Sequence, residues 1–251
     1  GFYYDSLGLL SDAGHNLGDV ASLVLAMLAF RLTKVHPNSR YTYGYKKSTV
    51  LVSLLNAVIL LVAVGIIIAE SIGKLLHPTP VEGVAIAWTA GVGVVINAVT
   101  AWLFMKDKEK DLNVKGAYLH MAADTLVSVG VVISGIIIMY TGWTIVDPII
   151  GLVIAVIIVI STWGVLHDSL RLSLDGVPVG IDTEKIEQLI LSQPGVVGCH
   201  HLHIWALSTT ETALTVHIVL DEMNHMEEAK HLIRHALEDA GIHHVTLEFE
   251  C

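Results

Sequence analysis

The chain has little charge, little cysteine and few aromatic residues. Asp, Glu, Lys and Arg make up 15% of its 251 residues, while 53% are hydrophobic. So apolar a composition excludes an ordinary soluble domain. Two cysteines, Cys199 and Cys251, are too few for a disulfide framework, and a reduced cytosolic thiol at Cys199, beside His200, is expected. No G-x-x-x-x-G-K-[ST] loop occurs, which argues against a nucleotide as energy source. The start carries no basic signal-peptide region. Gly1-Phe2-Tyr3-Tyr4 reads instead as the end of an earlier apolar helix.

Basic residues are scarce in one part only. Residues 1–174 balance 11 acidic against 11 basic side chains, whereas residues 175–251 carry 13 acidic and 3 basic, and so the whole net charge of −10. Nine of the 14 histidines lie there too. An acidic, His-rich surface repels nucleic acid and attracts cations.

What is abundant is long uncharged sequence. Ser48–Ala69, Gly83–Met105, Thr125–Val146 and Pro148–Leu166 hold no charge, and about 20 apolar residues cross a bilayer. Five spans are expected, at about residues 6–32, 48–73, 83–105, 113–140 and 146–168. The first loop contains Arg31, Lys34, Arg40, Lys46 and Lys47, and the third Lys106, Lys108, Lys110 and Lys115. The second loop has only Lys74, and Thr141–Ile145 has no basic residue. The positive-inside rule puts the first and third loops, and the tail after the last span, in the cytoplasm.

Residues 1–174 therefore read as a transmembrane domain and 175–181, with Gly176-Val177-Pro178-Val179-Gly180, as a linker. Residues 182–251 read as a small cytoplasmic α+β domain. Asp182 can cap a helix running to Gln193, stopped by Pro194-Gly195. Strands are expected at His200–Leu207, Ala213–Leu220 and His244–Glu250, with an amphipathic helix over Met226–Ala240. The order α-β-β-α-β fits a ferredoxin-like layer of helices on one sheet.

Two of the spans contain the same polar pattern, His-x-x-x-Asp, at His15/Asp19 and His120/Asp124. Positions i and i+4 share a helix face, about 6 Å apart along the axis. Two such helices facing each other would gather two nitrogens and two oxygens, a four-coordinate set that suits Zn²⁺. Each ionisable residue costs roughly 2.5–3.5 kcal/mol at a membrane helix centre on insertion scales, so a repeated pattern points to a purpose. The competing readings are a polar helix–helix contact and a bis-His haem on His15 and His120. Haem would leave both carboxylates unexplained. Asn56 and Asn97 read as interhelical hydrogen-bonding residues, and Asp147-Pro148 as the start of the last span.

Ser11-Asp12-Ala13-Gly14-His15-Asn16-Leu17-Gly18-Asp19, His120-Met121-Ala122-Ala123-Asp124, Asp147-Pro148-Ile149-Ile150 and His201-Leu202-His203-Ile204-Trp205 resemble, in order, motifs of the cation diffusion facilitator family. The closest look is to its bacterial zinc, cobalt and cadmium resistance exporters and their zinc-transporter relatives. The resemblance covers nearly the whole chain. It implies a homodimeric, proton-coupled metal exporter of the bacterial inner membrane. Six spans and a cytoplasmic ferredoxin-like domain would be usual, so the family's first helix has no counterpart among the five spans. The transport site would be His15, Asp19, His120 and Asp124, the two-His, two-Asp form of zinc-preferring members, with Cd²⁺ or Co²⁺ as further substrates. Proton exchange, not covalent chemistry, is expected.

In the cytoplasmic domain the resemblance points to His200, His217, His244 and Glu250 as ligands of a sensing or dimer-stabilising metal site. Glu227, Cys199 and Cys251 are weaker matches, and His201, His225, His231 and His235 read as solvated side chains. Tyr41 and Tyr45 stand where some members carry loop histidines, so no metal site is expected there, with His36 a stray candidate. Lys47 and Asp175 match a pair that locks loop to tail by charge. The rival of another class is a membrane metal sensor or binding subunit that does not transport.

Overall fold

A computed structural model describes residues 24–77, 83–106, 108–109, 111–143 and 145–251. The described residues fall into two compact units. One comprises the chain to Phe30 together with Val52–His167, the other Arg31–Leu51 together with Asp168–Cys251.

The first unit is helical. Helix α1 covers Val24–Thr33, α2 Ser48–Leu76, α3 Gly83–Met105, α4 Leu112–Thr141 and α5 Val146–Ser173. The sequence expectation of 6–32 for the first span lies outside the described residues as far as 23. Among the described residues, the windows Ser48–Leu76 and Pro148–Ser173 are long and apolar enough to cross a membrane. Only 22% of each window is buried within the protein, so these are not core helices of a soluble fold. Leu60, Val64, Ala123, Ile154, Ala155 and Ile158 form a buried cluster joining α2, α4 and α5. Glycine sets the closest approaches. A Cβ at Gly130 would meet Ile154 at 2.4 Å, and one at Gly151 would meet the Ser71 hydroxyl at 2.6 Å.

Local chemistry fixes the ends of α4. The Asp111 carboxylate accepts from the Asn113 N–H at 2.6 Å, an N-cap that satisfies an otherwise unpaired amide. At the far end Gly142, at φ 71°, closes on the Ile138 carbonyl, as glycine does in left-handed backbone. Helix α5 runs past the expected end at 168. Loss of hydropathy ends an apolar run, not a helix, and Asp168 and Arg171 continue it as an i,i+3 pair at 3.9 Å.

The second unit holds α6 (Thr183–Leu191), β1 (Val196–Ala206), β2 (Thr212–Leu220), α7 (Met226–Asp239) and β3 (His244–Glu250), in the order α-β-β-α-β. Asp182 caps α6 through the amides of Glu184 and Lys185. β1 begins at Val196 rather than His200, because Val196 already pairs with Leu220. The two glycines around Val196 and Val197 hide that pairing in the sequence.

The sheet order is β1-β2-β3, antiparallel between β1 and β2 and parallel between β2 and β3. A parallel neighbour requires a crossover, and α7 supplies it. Leu214, Val216, Ile218 and Leu220 of β2 point to one side and pack under Ile186, Ile190, Ile233 and Leu237 of the two helices. Among the described residues of this unit, both helices pack on that one side of the sheet.

The chain between α1 and α2 also belongs to this unit. Lys47 Nζ donates to Asp175 Oδ1 at 2.5 Å and to the Ala206 carbonyl at 3.0 Å, the lock expected from the sequence. Lys46 pairs with Glu211, the Thr209 N–H donates to the Thr49 hydroxyl at 3.1 Å, and Tyr43 meets His244 edge-on at 5.3 Å.

The entry to α7 is pinned by Asp221, which accepts from His225 Nδ1 at 2.9 Å and the Glu222 N–H at 2.7 Å. The hydrogen bond raises the His225 pKa above its ordinary 6.5 and lowers that of Asp221 below 3.8. A raised base stabilises fully below its unfolded value and loses that contribution as pH rises through its folded value; a lowered acid does the reverse. The pair is therefore at full strength between pH 3.8 and 6.5. Thermal melts of wild type and Asp221→Asn should differ most at pH 6 and converge as pH rises past the His225 titration. An equal difference at pH 6 and pH 9 would refute this.

Candidate metal centres

Helix α4 brings His120 and Asp124 onto one face. Both are nearly buried, at 8% and 6% exposed, and His120 Nε2 lies 3.8 Å from Asp124 Oδ2. A carboxylate this deep in an apolar bundle demands a counter-charge or a proton. The other half of the expected set, His15 and Asp19, lies outside the described residues.

The second centre is built by the sheet. Cys199 pairs with Ile218 and His200 with His217, but the next pair is His203 with Thr215. His201 and Leu202 therefore oppose Val216 alone, which is a β-bulge. His201 takes φ 50°, left-handed backbone that costs a non-glycine residue of order 1–3 kcal/mol. The extra residue shifts the alternation by one. Cys199 and Leu202 both pack on the core, and burial pushes the Cys199 thiol pKa up. His200 and His201, adjacent in sequence, both stand on the open face beside His217.

Strand β3 brings the carboxylates. His217 is in register with Glu248 and Val219 with Glu250. His217 Nδ1 and Glu250 Oε1 are 2.6 Å apart, His217 Nε2 lies 3.4 Å from Glu248, and His200 Nε2 lies 3.5 Å from Glu250 Oε2. The hydrogen bond from His217, aided by the charge of His200, holds the Glu250 carboxyl below its ordinary value of 4.5. His200, His217 and Glu250 each offer a ligand atom, all within 4.8 Å of one another. Two imidazole nitrogens and a carboxylate oxygen suit Zn²⁺ and its neighbours in the transition series.

Three of the four cytoplasmic residues singled out by sequence thus come together. His244 does not join them: it starts the strand that Glu250 ends, six residues or about 20 Å away at strand rise, and its ring rests against Tyr43. Glu227 is drawn to Lys230 on α7, and Cys251 is exposed. His201, read as solvated, is exposed, and its ring lies 5.0 Å from that of His200 and 5.3 Å from that of His217. Glu248 was also missed. One signal was available, since an inward Cys199 and an inward Leu202 cannot both hold without a bulge between them.

Residues 1–172 match the cation efflux transmembrane domain, and residues 178–250 the cytoplasmic domain of cation efflux proteins. The chain belongs to the cation diffusion facilitator family. It is 36% identical to the cadmium, cobalt and zinc/H(+)-K(+) antiporter of Bacillus subtilis, over all of this chain and 82% of that protein. It is 37% identical to the metal cation efflux system protein CzcD of Cupriavidus metallidurans, over 98% of this chain and 78% of that one. With the zinc transporter ZitB of Escherichia coli it shares 35%, over all of this chain and 80% of that one. The solved metal-bound C-terminal domain of the Cupriavidus CzcD is 41% identical over 28% of this chain and all of that one, with a TM-score of 0.27. This family member is a multi-pass membrane protein with a cytoplasmic C-terminal domain, a transporter and not an enzyme, and its activity is divalent cation efflux.

The geometry of the sheet face predicts how its cation affinity varies with pH. Glu250 is ionised throughout the neutral range, so the competing protons are those of the imidazoles. Binding at this face should therefore weaken as pH falls. Zn²⁺ titrations of the protein with the buried His120–Asp124 pair broken by Asp124→Ala should give that trend in wild-type sheet residues. A flat profile from pH 8 to pH 5.5 would exclude imidazole ligation.

Proposed function

We propose that the protein exports Zn²⁺ from the cytoplasm in exchange for protons, through a transport site made of His15, Asp19, His120 and Asp124. The observation that carries this reading is the buried His120–Asp124 pair, one turn apart on α4. A metal that takes neutral imidazole and ionised carboxylate must displace their protons on binding. The same four groups, re-protonated from the other side, release it. Alternating exposure of one site to the two faces of the membrane then couples opposite flows of cation and proton. The printed function of the Bacillus subtilis relative, an antiporter with protons among its ions, supports the coupling. Names of relatives that include cadmium and cobalt support Cd²⁺ and Co²⁺ as further substrates.

In this reading the chain contributes five membrane helices, with α2 to α5 following the expected spans closely, and works as a homodimer. Residues 1–174 form the membrane domain, and residues 182–251 a ferredoxin-like cytoplasmic domain joined by the 175–181 linker. The match to a cytoplasmic domain characteristic of cation efflux proteins supports dimerisation there. His200, His217 and Glu250 are then a cytoplasmic zinc site that senses the ion or draws two acidic domains together. Nucleic acid and nucleotides have no part.

The test is Zn²⁺ flux into proteoliposomes under an imposed pH gradient. Wild type should transport, and Asp124→Ala should lose nearly all gradient-driven flux, as expected when a buried ligand and proton carrier is removed. Flux that persists in Asp124→Ala would refute the site. Tight Zn²⁺ binding without flux in the wild type would favour a binding subunit instead.

A further inference from the structure

We propose that His201 is a fourth protein ligand of the cytoplasmic cation site, closing it as a His₃Glu tetrahedron within one chain. The inference rests on the reading of this sheet face as a metal site and extends it to a residue that neither the ligand set drawn from the resemblance nor the three-ligand cluster includes.

The argument is geometric. A Zn–N distance of about 2.0–2.1 Å puts an imidazole centroid about 3.2 Å from the ion, so two tetrahedral imidazole ligands have centroids about 5.2 Å apart. The His200, His201 and His217 rings are separated by 5.0, 5.1 and 5.3 Å. The three rings form a nearly equilateral triangle at the spacing one ion imposes. Glu250 reaches both His200 and His217 and supplies the fourth donor.

The backbone supports the assignment. Without the bulge, His201 would face the helices and Val216 would have a single opposite number. The bulge instead holds His201 on the open face in a left-handed conformation. Bulges recur where a side chain has to be re-aimed. The rings are already in place, so ligation asks for rotation about the His201 side-chain bonds and no movement of the strand. His203, 6.4 Å from His201 by centroids, stands outside the triangle. Four protein ligands make a closed site, the form that holds an ion structurally rather than passing it on.

Substitution can separate the imidazole from the backbone it sits on. His201→Gly keeps the left-handed bulge, which glycine adopts without strain, and deletes only the ligand. The experiment uses the full chain in detergent on an Asp124→Ala background, with Co²⁺ as spectroscopic probe and Zn²⁺ affinity measured against a competing chelator. Wild-type sheet residues should give the intense visible bands of tetrahedral Co²⁺. His201→Gly should lose those bands and at least about tenfold in affinity, the lower bound even for groups that only support a ligand. His217→Ala should lose both as well. Retention of bands and affinity in His201→Gly, with loss in His217→Ala, would overturn the fourth ligand and leave the metal site standing. Retention in both variants would overturn the metal site itself.

Discussion

A β-strand sends successive side chains to opposite faces, and the cytoplasmic unit depends on that constraint. Leu214, Val216, Ile218 and Leu220 must face α6 and α7 to form a core. Thr215, His217 and Val219 are thereby forced onto the open side, with no choice left to them. β3 obeys the same rule, since Val245, Leu247 and Phe249 pack inward and Glu248 and Glu250 are left outside. Burial of the apolar residues thus positions His217 and Glu250. Each inward side chain is worth roughly 1.5–3 kcal/mol, far more than any exposed imidazole–carboxylate contact. The hydrophobic pattern, and not the imidazole–carboxylate contacts, sets the geometry of this face.

This explains what could be read from the sequence and what could not. β3 and α7 were legible nearly to the residue, because strict alternation and an amphipathic repeat have no competing interpretation. His217 on β2 and Glu250 at the end of β3 were named through the resemblance. The place of His201 was not legible, because alternation fails at the bulge and a one-residue shift reverses every side chain beyond it. The start of β1 was hidden by Gly195 and Gly198, which carry no facial preference. His244 was named through the same resemblance; its place at the opposite end of β3 follows from strand rise. The parallel pairing of β2 with β3 was also beyond local pattern, since it depends on where α7 returns the chain.

In the membrane unit the order of legibility is reversed. Uncharged runs marked α2 to α5 within a few residues, apart from the polar extension of α5, because a bilayer imposes length and composition together. Close packing was not legible. Gly130 and Gly151 look like helix-weakening residues in sequence, yet each marks a spot where a neighbouring side chain occupies the space a Cβ would take. The His120–Asp124 pair was legible for the opposite reason. Polar residues are so costly in this setting that their spacing stands out against any background.

Charge joins the two readings. The acidic tail cannot balance itself with Lys185, Lys230 and Arg234. The segment Arg31–Leu51 brings five basic side chains and no acidic one, and it belongs to the same compact unit as the tail. Lys46 and Lys47 meet Glu211 and Asp175 directly. These contacts are partly exposed, and exposed pairs contribute little stability, so their value is positional. Lys47 shows this best: it bonds both a side chain at the end of α5 and the main-chain carbonyl of Ala206 in β1, which a diffuse cation could not do. The basic loop that orients the chain across the membrane by the positive-inside rule is therefore the loop that fastens the acidic domain. A divalent cation bound as proposed would add positive charge to that domain on its open sheet face. Cation binding and loop attachment would then both lower the same acidic self-repulsion, one at the sheet and the other at the residues flanking it.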